Sequence, residues 1–286
     1  MSYLEELVKK PIEVLDSYYA RGQPSEVRLG DFKGRVVYGR NPVDLFKAYN
    51  TKSERLATLR EVAGARTRAY QHLLENVPSI RNLMHNMLLY GTFDSSLVNK
   101  ARNDLQKVID ENPLIFNIWK ARLTTSTSMV RAKNNDGNEY IFFCDANPFE
   151  NSGLTSALQG RMSDGGIEFD SSAFGQVVSE SYSRLPYQEY LDSRGGNFNG
   201  QDWLRHPVFR AAFDNPLLFA NYVLAMQILN LTDFYNQGLH SGWLPREMKE
   251  GFGRFISLGY KGEAFYPVNA STTGHAALVV PKDFKI

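Results

Sequence analysis

Hydrophobic residues recur at helical spacing through most of the first 113 residues. Apolar positions three and four residues apart fill residues 2–22 and 51–112, and side chains spaced in this way share one face of an α-helix. The first stretch predicts an N-terminal helix. The second predicts an array of three helices, because Pro78 and Gly91 divide it.

Capping residues and glycines set the predicted boundaries in this half. Thr51 and Glu54 have the spacing of a capping box, so the first helix of the array is predicted to begin there. Residues 35–38 lie between two glycines and are rich in β-branched and aromatic side chains. This composition predicts a short strand ahead of the array.

The hydrophobic period changes toward two after Pro113. Apolar and polar residues alternate over residues 119–124, and β-branched residues dominate residues 124–130, which favours extended chain. Residues 134–138 read Asn-Asn-Asp-Gly-Asn, a sequence typical of hairpin turns. We therefore predict a β-hairpin whose second strand is residues 139–144.

The remaining chain combines an irregular segment with further predicted helices. Residues 145–175 are rich in Gly, Ser, Asn and Asp, which predicts a long surface segment with at most a short helix. Short strands and loops are predicted after residue 260. Helices are predicted at residues 172–184, 201–213 and 245–256.

Residues 215–236 are apolar on nearly every side. The stretch is long enough to span a bilayer, but Asn221, Gln227 and Asp233 point in different directions around it. We interpret it as a central buried helix and predict no membrane span.

These patterns predict an α+β fold that is predominantly α-helical. Residues 1–113 form a mainly helical region with the N-terminal helical array, and residues 114–286 form a mixed α+β region with a hairpin and a central buried helix. The two regions are either separate domains or one continuous domain.

Composition narrows the class of protein. With 43% hydrophobic residues, 22% charged residues and a net charge of +1, the chain is neither a disordered tail nor a globally basic nucleic-acid binder. The single cysteine, Cys144, excludes an intramolecular disulfide framework and a Cys-rich zinc module, and it is compatible with a reducing compartment. The first ten residues lack the apolar core of a signal peptide, so we expect a cytoplasmic or intracellular protein, free or incorporated into a larger particle.

The sequence lacks most of the residue spacings that define catalytic and cofactor-binding motifs. The chain has no G-x-x-x-x-G-K-[ST] sequence, and its five histidines include no pair at helical ligand spacing. The sequence therefore predicts no metal site and no cofactor.

One constellation resembles the mono-ADP-ribosyltransferase toxins in its order. Arg40 follows the predicted strand at residues 35–38, Ser126 opens a Ser-Thr-Ser sequence in a later strand, and Glu189 or Glu180 follows. In that family the Arg and the first Ser hold the nicotinamide dinucleotide, and the Glu polarises the ribose hydroxyl. The resemblance implies an NAD-dependent transferase with Arg40, Ser126 and Glu189 in one cleft, as an alternative to a non-enzymatic function.

Charge is divided unevenly along the chain. Residues 52–133 carry 13 basic and seven acidic side chains, whereas residues 145–202 carry nine acidic side chains and three arginines. The basic side chains that could share one face, and bind nucleic acid or an acidic partner, are Lys52, Arg55, Arg60, Arg66, Arg68 and Arg81. Alternatively they neutralise the acidic segment of the same chain, or that of a neighbouring subunit.

Aromatic residues suggest an interaction surface. Aromatic side chains are enriched at the centres of interfaces, although packing in the core would use the same residues. The candidates are Tyr182, Tyr187, Tyr190, Phe198 and Trp203.

We therefore predict a non-enzymatic assembly or interaction protein that forms a homo-oligomer, such as a self-associating subunit of a virion or filament. The alternatives are a nucleoprotein that binds nucleic acid through residues 52–81 and the ADP-ribosyltransferase-like enzyme.

Overall fold

A computed structural model describes residues 25–29, 32–39, 42–49, 51–90, 95–111, 118, 122–145, 167–168, 174–193, 205–231, 244, 247–259, 266–268 and 275–284. The predicted helix at residues 2–22 and most of the irregular segment at residues 145–175 lie outside these ranges.

The described residues form ten strands and eight helices. The strands are β1 (Ser25–Leu29), β2 (Phe32–Gly39), β3 (Glu54–Leu56), β4 (Leu123–Lys133), β5 (Glu139–Cys144), β6 (Ile167–Glu168), β7 (Ser181–Pro186), β8 (Phe252–Leu258), β9 (Tyr266–Val268) and β10 (His275–Pro281). The helices are α1 (Pro42–Tyr49), α2 (Leu59–Asn76), α3 (Pro78–Tyr90), α4 (Ser95–Glu111), α5 (Phe174–Glu180), α6 (Tyr187–Ser193), α7 (Pro207–Phe213) and α8 (Pro216–Leu231).

All ten strands belong to one mixed sheet. Its main path runs β1-β2-β10-β4-β5-β7, while β8 pairs with the other edge of β4 and in turn pairs with β6 and β9. The pairing of β10 with β4 is parallel, and the other pairings are antiparallel. Strands from before and after residue 113 therefore belong to the same sheet.

This sheet shows that the predicted fold class is wrong. The prediction of a predominantly α-helical fold with an N-terminal helical array fails because β1 and β2 come first in the described chain and pair with each other and with β10. The three helices predicted within residues 51–112 are present as α2, α3 and α4, but α2 packs against β4 and β8 of the sheet.

The predicted hairpin is confirmed. β4 and β5 pair antiparallel from Ser128–Cys144 to Lys133–Glu139. In the turn between them, Oδ1 of Asn134 accepts from the backbone N–H groups of Asp136 and Asn138 at 3.1 and 2.9 Å, and Gly137 has a φ of 82°. The strand predicted at residues 35–38 is also confirmed, within β2.

The first helix of the predicted array begins later than expected. Thr51 does cap a turn, because its Oγ1 accepts from the N–H of Glu54 at 3.1 Å. The chain then extends as β3 since it pairs with β10. The capping box that starts α2 is formed by Thr58 and Glu61, so the predicted chemistry recurs seven residues further on.

Two of the predicted helices, at residues 172–184 and 245–256, end as strands. Residues 181–186 pair with β5 as β7, and residues 252–258 pair with β4 as β8. Apart from Arg254, residues 253–258 of β8 are all buried, whichever side of the sheet they face. They therefore lack the alternation of apolar and polar residues that would distinguish a strand from a buried helix.

The two faces of the sheet have different covers. We call the first face the one that packs against α2, and the second face the one that packs against α1 and α5. Neighbouring residues alternate between them, as Val36 and Phe143 face the first and Val37 and Phe142 the second. Each of these four side chains is fully buried. The sheet is therefore the centre of a three-layer structure.

Candidate functional site

The central strand β4 changes neighbours midway along one edge. Residues 123–124 pair with β10, whereas residues 128–133 pair with β5. On the opposite edge, the register with β8 shifts between Thr124 and Ser128. Residues 125–127 thus lie at a split in the sheet and at a bulge, a feature that redirects side chains and backbone groups.

The polar residues at this split bind the start of α2. The backbone N–H of Ser126 donates to the carbonyl of Ala57 at 2.9 Å, and Oγ1 of Thr127 accepts from the N–H of Leu59 at 2.8 Å. The N–H of Leu59 lies in the first turn of α2, where backbone N–H groups have no hydrogen-bond acceptor within the helix. The hydroxyl of Thr127 therefore fixes α2 to the split.

Four side chains form a connected polar group beside this junction, which we call the Asp145 cluster: Arg60, Thr127, Asp145 and Tyr182. The Thr127 hydroxyl donates to Oδ1 of Asp145 at 2.5 Å, and Nη2 of Arg60 donates to Oδ2 at 2.6 Å. The Arg60 guanidinium carbon lies 4.1 Å from the centroid of the Tyr182 ring. Asp145 is thus held by two partners at the point where the chain leaves β5.

The electrostatics of the cluster fix its protonation states. Burial by itself would lower the pKa of the Arg60 guanidinium, but its hydrogen bond to Asp145 and the charge of that carboxylate outweigh burial and raise it. Burial, and then the Asp145 charge, raise the pKa of the Tyr182 hydroxyl well above its ordinary value. At neutral pH Arg60 is a cation, and Tyr182 is a neutral donor to the carbonyl of Ala212.

A rigid corner between α7 and α8 adjoins the cluster. Asp214 adopts the left-handed conformation with a φ of 47°, and its N–H donates to the carbonyl of Arg210 at 3.0 Å, which ends α7. Oδ1 of Asn215 accepts from the N–H of Leu218 at 3.0 Å, and Pro216 occupies the first position of α8. The sequence Asp-Asn-Pro thus ends one helix and starts the next.

This corner presents an apolar side chain to solvent. Leu217 is 72% exposed and is the large hydrophobic residue that stands out as exposed in the described part of the chain. The corner is tied to the Asp145 cluster by the Tyr182–Ala212 hydrogen bond, and the Asp214 charge acts on both Arg60 and Tyr182. We call Arg60, Tyr182, Asp214 and Leu217 together the corner surface.

Several of the predicted basic residues serve internal contacts. Arg55 binds Glu61 through two hydrogen bonds of 2.7 and 2.6 Å and donates to the carbonyl of Phe284 at 2.8 Å. Arg60 belongs to the Asp145 cluster and remains 35% exposed. Both arginines are therefore engaged within the chain, but only Arg60 binds a residue of the acidic segment, Asp145, because the partner of Arg55 lies in the basic segment itself.

Arg66 is fully buried between α2 and α8. Its Nε donates to the carbonyl of Ile118 at 3.1 Å, and its Nη1 donates to the carbonyl of Gly259 at 2.6 Å and to the Tyr222 hydroxyl at 3.1 Å. Burial raises the pKa of that hydroxyl despite the adjacent cation. Arg66 is thus inaccessible to a phosphate backbone in this fold.

The other three predicted basic residues lie at the surface. Lys52 and Arg68 are exposed. Arg81 is exposed too, and its guanidinium donates to the carbonyls of Leu74 and Glu75 at 2.9 and 3.3 Å, at the end of α2. The six predicted residues therefore do not share one face.

Most of the predicted interface aromatics that the structure describes are in the core. Tyr190 is fully buried, Tyr187 is 8% exposed, and their rings stack at 5.9 Å. Tyr182 is partly buried and belongs to the corner surface. Phe198 and Trp203 lie outside the described residues.

The residues of the enzymatic alternative fall in different environments. Ser126 is buried in β4, and Glu189 is exposed on α6. Arg40 lies outside the described residues, as does the side chain of Glu180.

The described ranges contain neither a recognisable metal site nor a helix that could span a membrane. No group of three or more His, Cys, Asp or Glu side chains there has the arrangement of a metal site. Among the helices in these ranges, none is both long and apolar enough to cross a membrane.

The corner surface combines a predicted binding arginine, a predicted interface tyrosine and two residues, Asp214 and Leu217, that were not predicted. Neither residue type by itself indicates a binding site at these positions. The available signal was the Asp-Asn-Pro sequence, in which each residue type suits one position between two helices.

Comparison with known proteins concerns the fold. No family model matches the chain, and no curated protein matches it. The chain is similar to a solved structure described as "Accommodation of massive sequence variation in Nanoarchaeota by the C-type lectin fold". The similarity covers 89% of this chain and 100% of that chain, with a TM-score of 0.57 and 12% sequence identity. It agrees with a fold organised by a mixed sheet.

Proposed function

We propose that this chain is an interaction protein that binds another protein through the corner surface. The observation that carries the proposal is the stack of Arg60 on Tyr182, in which the guanidinium is fixed by Asp145 and remains partly exposed. Arg and Tyr are among the residues that contribute most to binding energy at protein interfaces.

Leu217 supports a protein partner. A single exposed leucine is common on protein surfaces and means little by itself. Here Leu217 follows a capped corner whose Asp214 charge acts on the Arg60–Tyr182 stack. A partner that covers both Leu217 and the Arg60–Tyr182 stack would meet an apolar side chain together with the arginine and tyrosine that protein interfaces favour.

Rigidity also supports binding. Tyr182 is tied to Ala212, Asp145 is held from two sides, and the corner is capped at both helices. Binding to a surface that is already ordered loses less conformational entropy than binding to a loop that must be ordered.

The structural neighbour is consistent with this proposal. Its description concerns the accommodation of massive sequence variation in Nanoarchaeota by the C-type lectin fold. A fold that accommodates sequence variation is suited to recognition. For this chain, the partner is either a second copy, as in a virion or filament subunit, or a different protein.

Site-specific photo-cross-linking tests the proposal. A benzophenone amino acid would replace Leu217 on the corner surface or, as the control, the exposed Lys107 on α4. We expect discrete protein adducts from position 217, either with the purified chain at increasing concentration or in the source cells, and none from position 107. Leu217→Asp should remove binding of the partner identified in this way. Equal adducts at both positions, or none at position 217, would contradict the proposal.

A further inference from the structure

β1 is the outermost strand on its side of the described sheet. Within the described residues it has one neighbouring strand, β2, and all five of its residues pair in continuous register from Ser25–Val36 to Leu29–Phe32. Val27 is fully buried, whereas Glu26 and Arg28 are exposed. The alternation therefore directs Val27 into the core and the two charged side chains outward.

We propose that β1 pairs antiparallel with β1 of a second copy of this chain, with the two Val27 residues opposite each other. In this register Glu26 of one copy faces Arg28 of the second copy, and Arg28 faces Glu26 in turn. The sequence Glu-Val-Arg is thus complementary to itself when it is reversed. The two sheets become one continuous sheet about a twofold axis.

Charge selects this register over its neighbours. A twofold axis perpendicular to the sheet requires some residue to face its own copy. If that residue were Glu26 or Arg28, like charges would be directly opposite, which destabilises antiparallel pairs. Centring on Val27 replaces both repulsive arrangements with two attractive pairs.

The charges around β1 favour an incoming carboxylate. Within its own chain, Arg28 is directly opposite Lys33 on β2, a pair of like charges. Glu26 binds Arg28 at 3.0 Å, but both side chains are 63% exposed, so solvent weakens this ion pair. Glu26 of the second copy would bring an additional negative charge to the Arg28–Lys33 pair.

The edge also lacks two features that commonly block strand addition. β1 contains no proline, and its pairing with β2 contains no bulge. β1 and the Tyr182 strand β7 occupy opposite ends of the main strand path. The inference therefore concerns a surface separate from the corner surface and does not rest on the proposed function.

Charge reversal and complementation test the inference. Sedimentation equilibrium would compare the unmodified chain with Glu26→Arg, with Arg28→Glu, with an equimolar mixture of these two variants, and with the double variant that carries both changes. The unmodified chain should dimerise, and each single variant should dimerise about tenfold more weakly because two attractive pairs become repulsive.

Restoration distinguishes strand pairing from a general loss of structure. The mixture should form one-to-one heterodimers, and the double variant should form homodimers, since opposite charges again face each other in both cases. Glu75→Arg on the exposed side of α2 is the matched control and should leave dimerisation unchanged. A monomeric unmodified chain, single variants that dimerise normally, or a mixture that fails to associate would each overturn the inference.

Discussion

The two faces of the sheet bury their side chains equally well but are covered in different ways. The first face packs against α2, an 18-residue helix that contacts the 16-residue α8. The described cover of the second face consists of α1 with eight residues and α5 with seven. Equal burial therefore hides a difference in cover, because most of the stability of a helix in a protein comes from packing of its apolar face, and a short helix offers less of that face.

The first face also uses hydrogen bonds from buried charge. Arg66 joins α2 to Tyr222 on α8 and to two backbone carbonyls. The second-face contacts are mainly apolar, such as the stacked rings of Phe46 and Phe255 at 4.5 Å. A polar contact requires all its partners, whereas an apolar contact can be partly replaced when neighbours shift.

Removing Arg66 should have the largest effect. Arg66→Ala leaves two buried carbonyls and a tyrosine hydroxyl without this donor and also creates a cavity, so we expect a loss of about 4 kcal/mol in the free energy of unfolding. Urea denaturation measures this loss. Arg68→Ala, two residues away and exposed, is the control and should change stability by no more than about 0.5 kcal/mol. Equal effects would contradict the role assigned to Arg66.

Substitution of two neighbouring phenylalanines compares the cost of a cavity on the two faces directly. Phe143→Leu on the first face should cost about 1–2 kcal/mol, and Phe142→Leu on the second face should cost less, because the short α5 can shift toward the space that is left. Both side chains are fully buried in β5, which makes them a matched pair. Urea denaturation of both variants gives the difference, and a larger cost at Phe142 would reverse the comparison.

Because of His206, the stability of the helices over the first face should depend modestly on pH. Burial lowers the pKa of His206, whose Nε2 donates to the Ser193 carbonyl at 3.0 Å. Since the folded pKa lies below the unfolded value, the stabilisation is present above about pH 6.5 and is lost as the pH falls below it.

Denaturation of the unmodified chain and of His206→Gln at about pH 7.5 and about pH 5.5 measures how much His206 contributes to the pH dependence of stability. The unmodified chain should lose more stability on acidification than the glutamine variant, which keeps an N–H donor but does not titrate. Parallel losses would show that His206 makes no such contribution.

The smallest effect on stability should come from Leu217. Because its side chain is exposed, Leu217→Asp should change the free energy of unfolding by no more than about 0.5 kcal/mol, while it removes partner binding at the corner surface. Thermal unfolding monitored by circular dichroism provides the check. A large loss of stability would mean that Leu217 is a packing residue rather than a binding residue.

Local chemistry was predictable from the sequence, whereas the order of strands was not. The turn at residues 134–138 and the cap chemistry of Thr51 depend on nearby atoms, and both are present. That β3 is a strand depends on β10, which is distant in sequence. Buried strands such as β8 also lose the polar alternation that would identify them.

The candidate site was predictable only in part, for a related reason. Arg60 and Arg66 both belong to α2, and their residue types do not reveal that one is partly exposed and the other fully buried. Tyr182 was selected for its aromatic ring, but its neighbours Asp145 and Asp214 come from other elements. Composition identifies residues that are suited to binding, and tertiary contacts decide which of them reach the surface.

The position of β10 has a consequence for how the chain folds. β10 lies between β2 and β4, although nearly the whole described chain separates it from β2. A ribosome-bound chain can form the β4–β5 hairpin early, but β2 has no neighbour on its inner edge until β10 has been synthesised. Closure of such a distant pairing is slow, and the exposed strand edges meanwhile favour aggregation. We therefore expect this protein to complete its sheet only after β10 has left the ribosome.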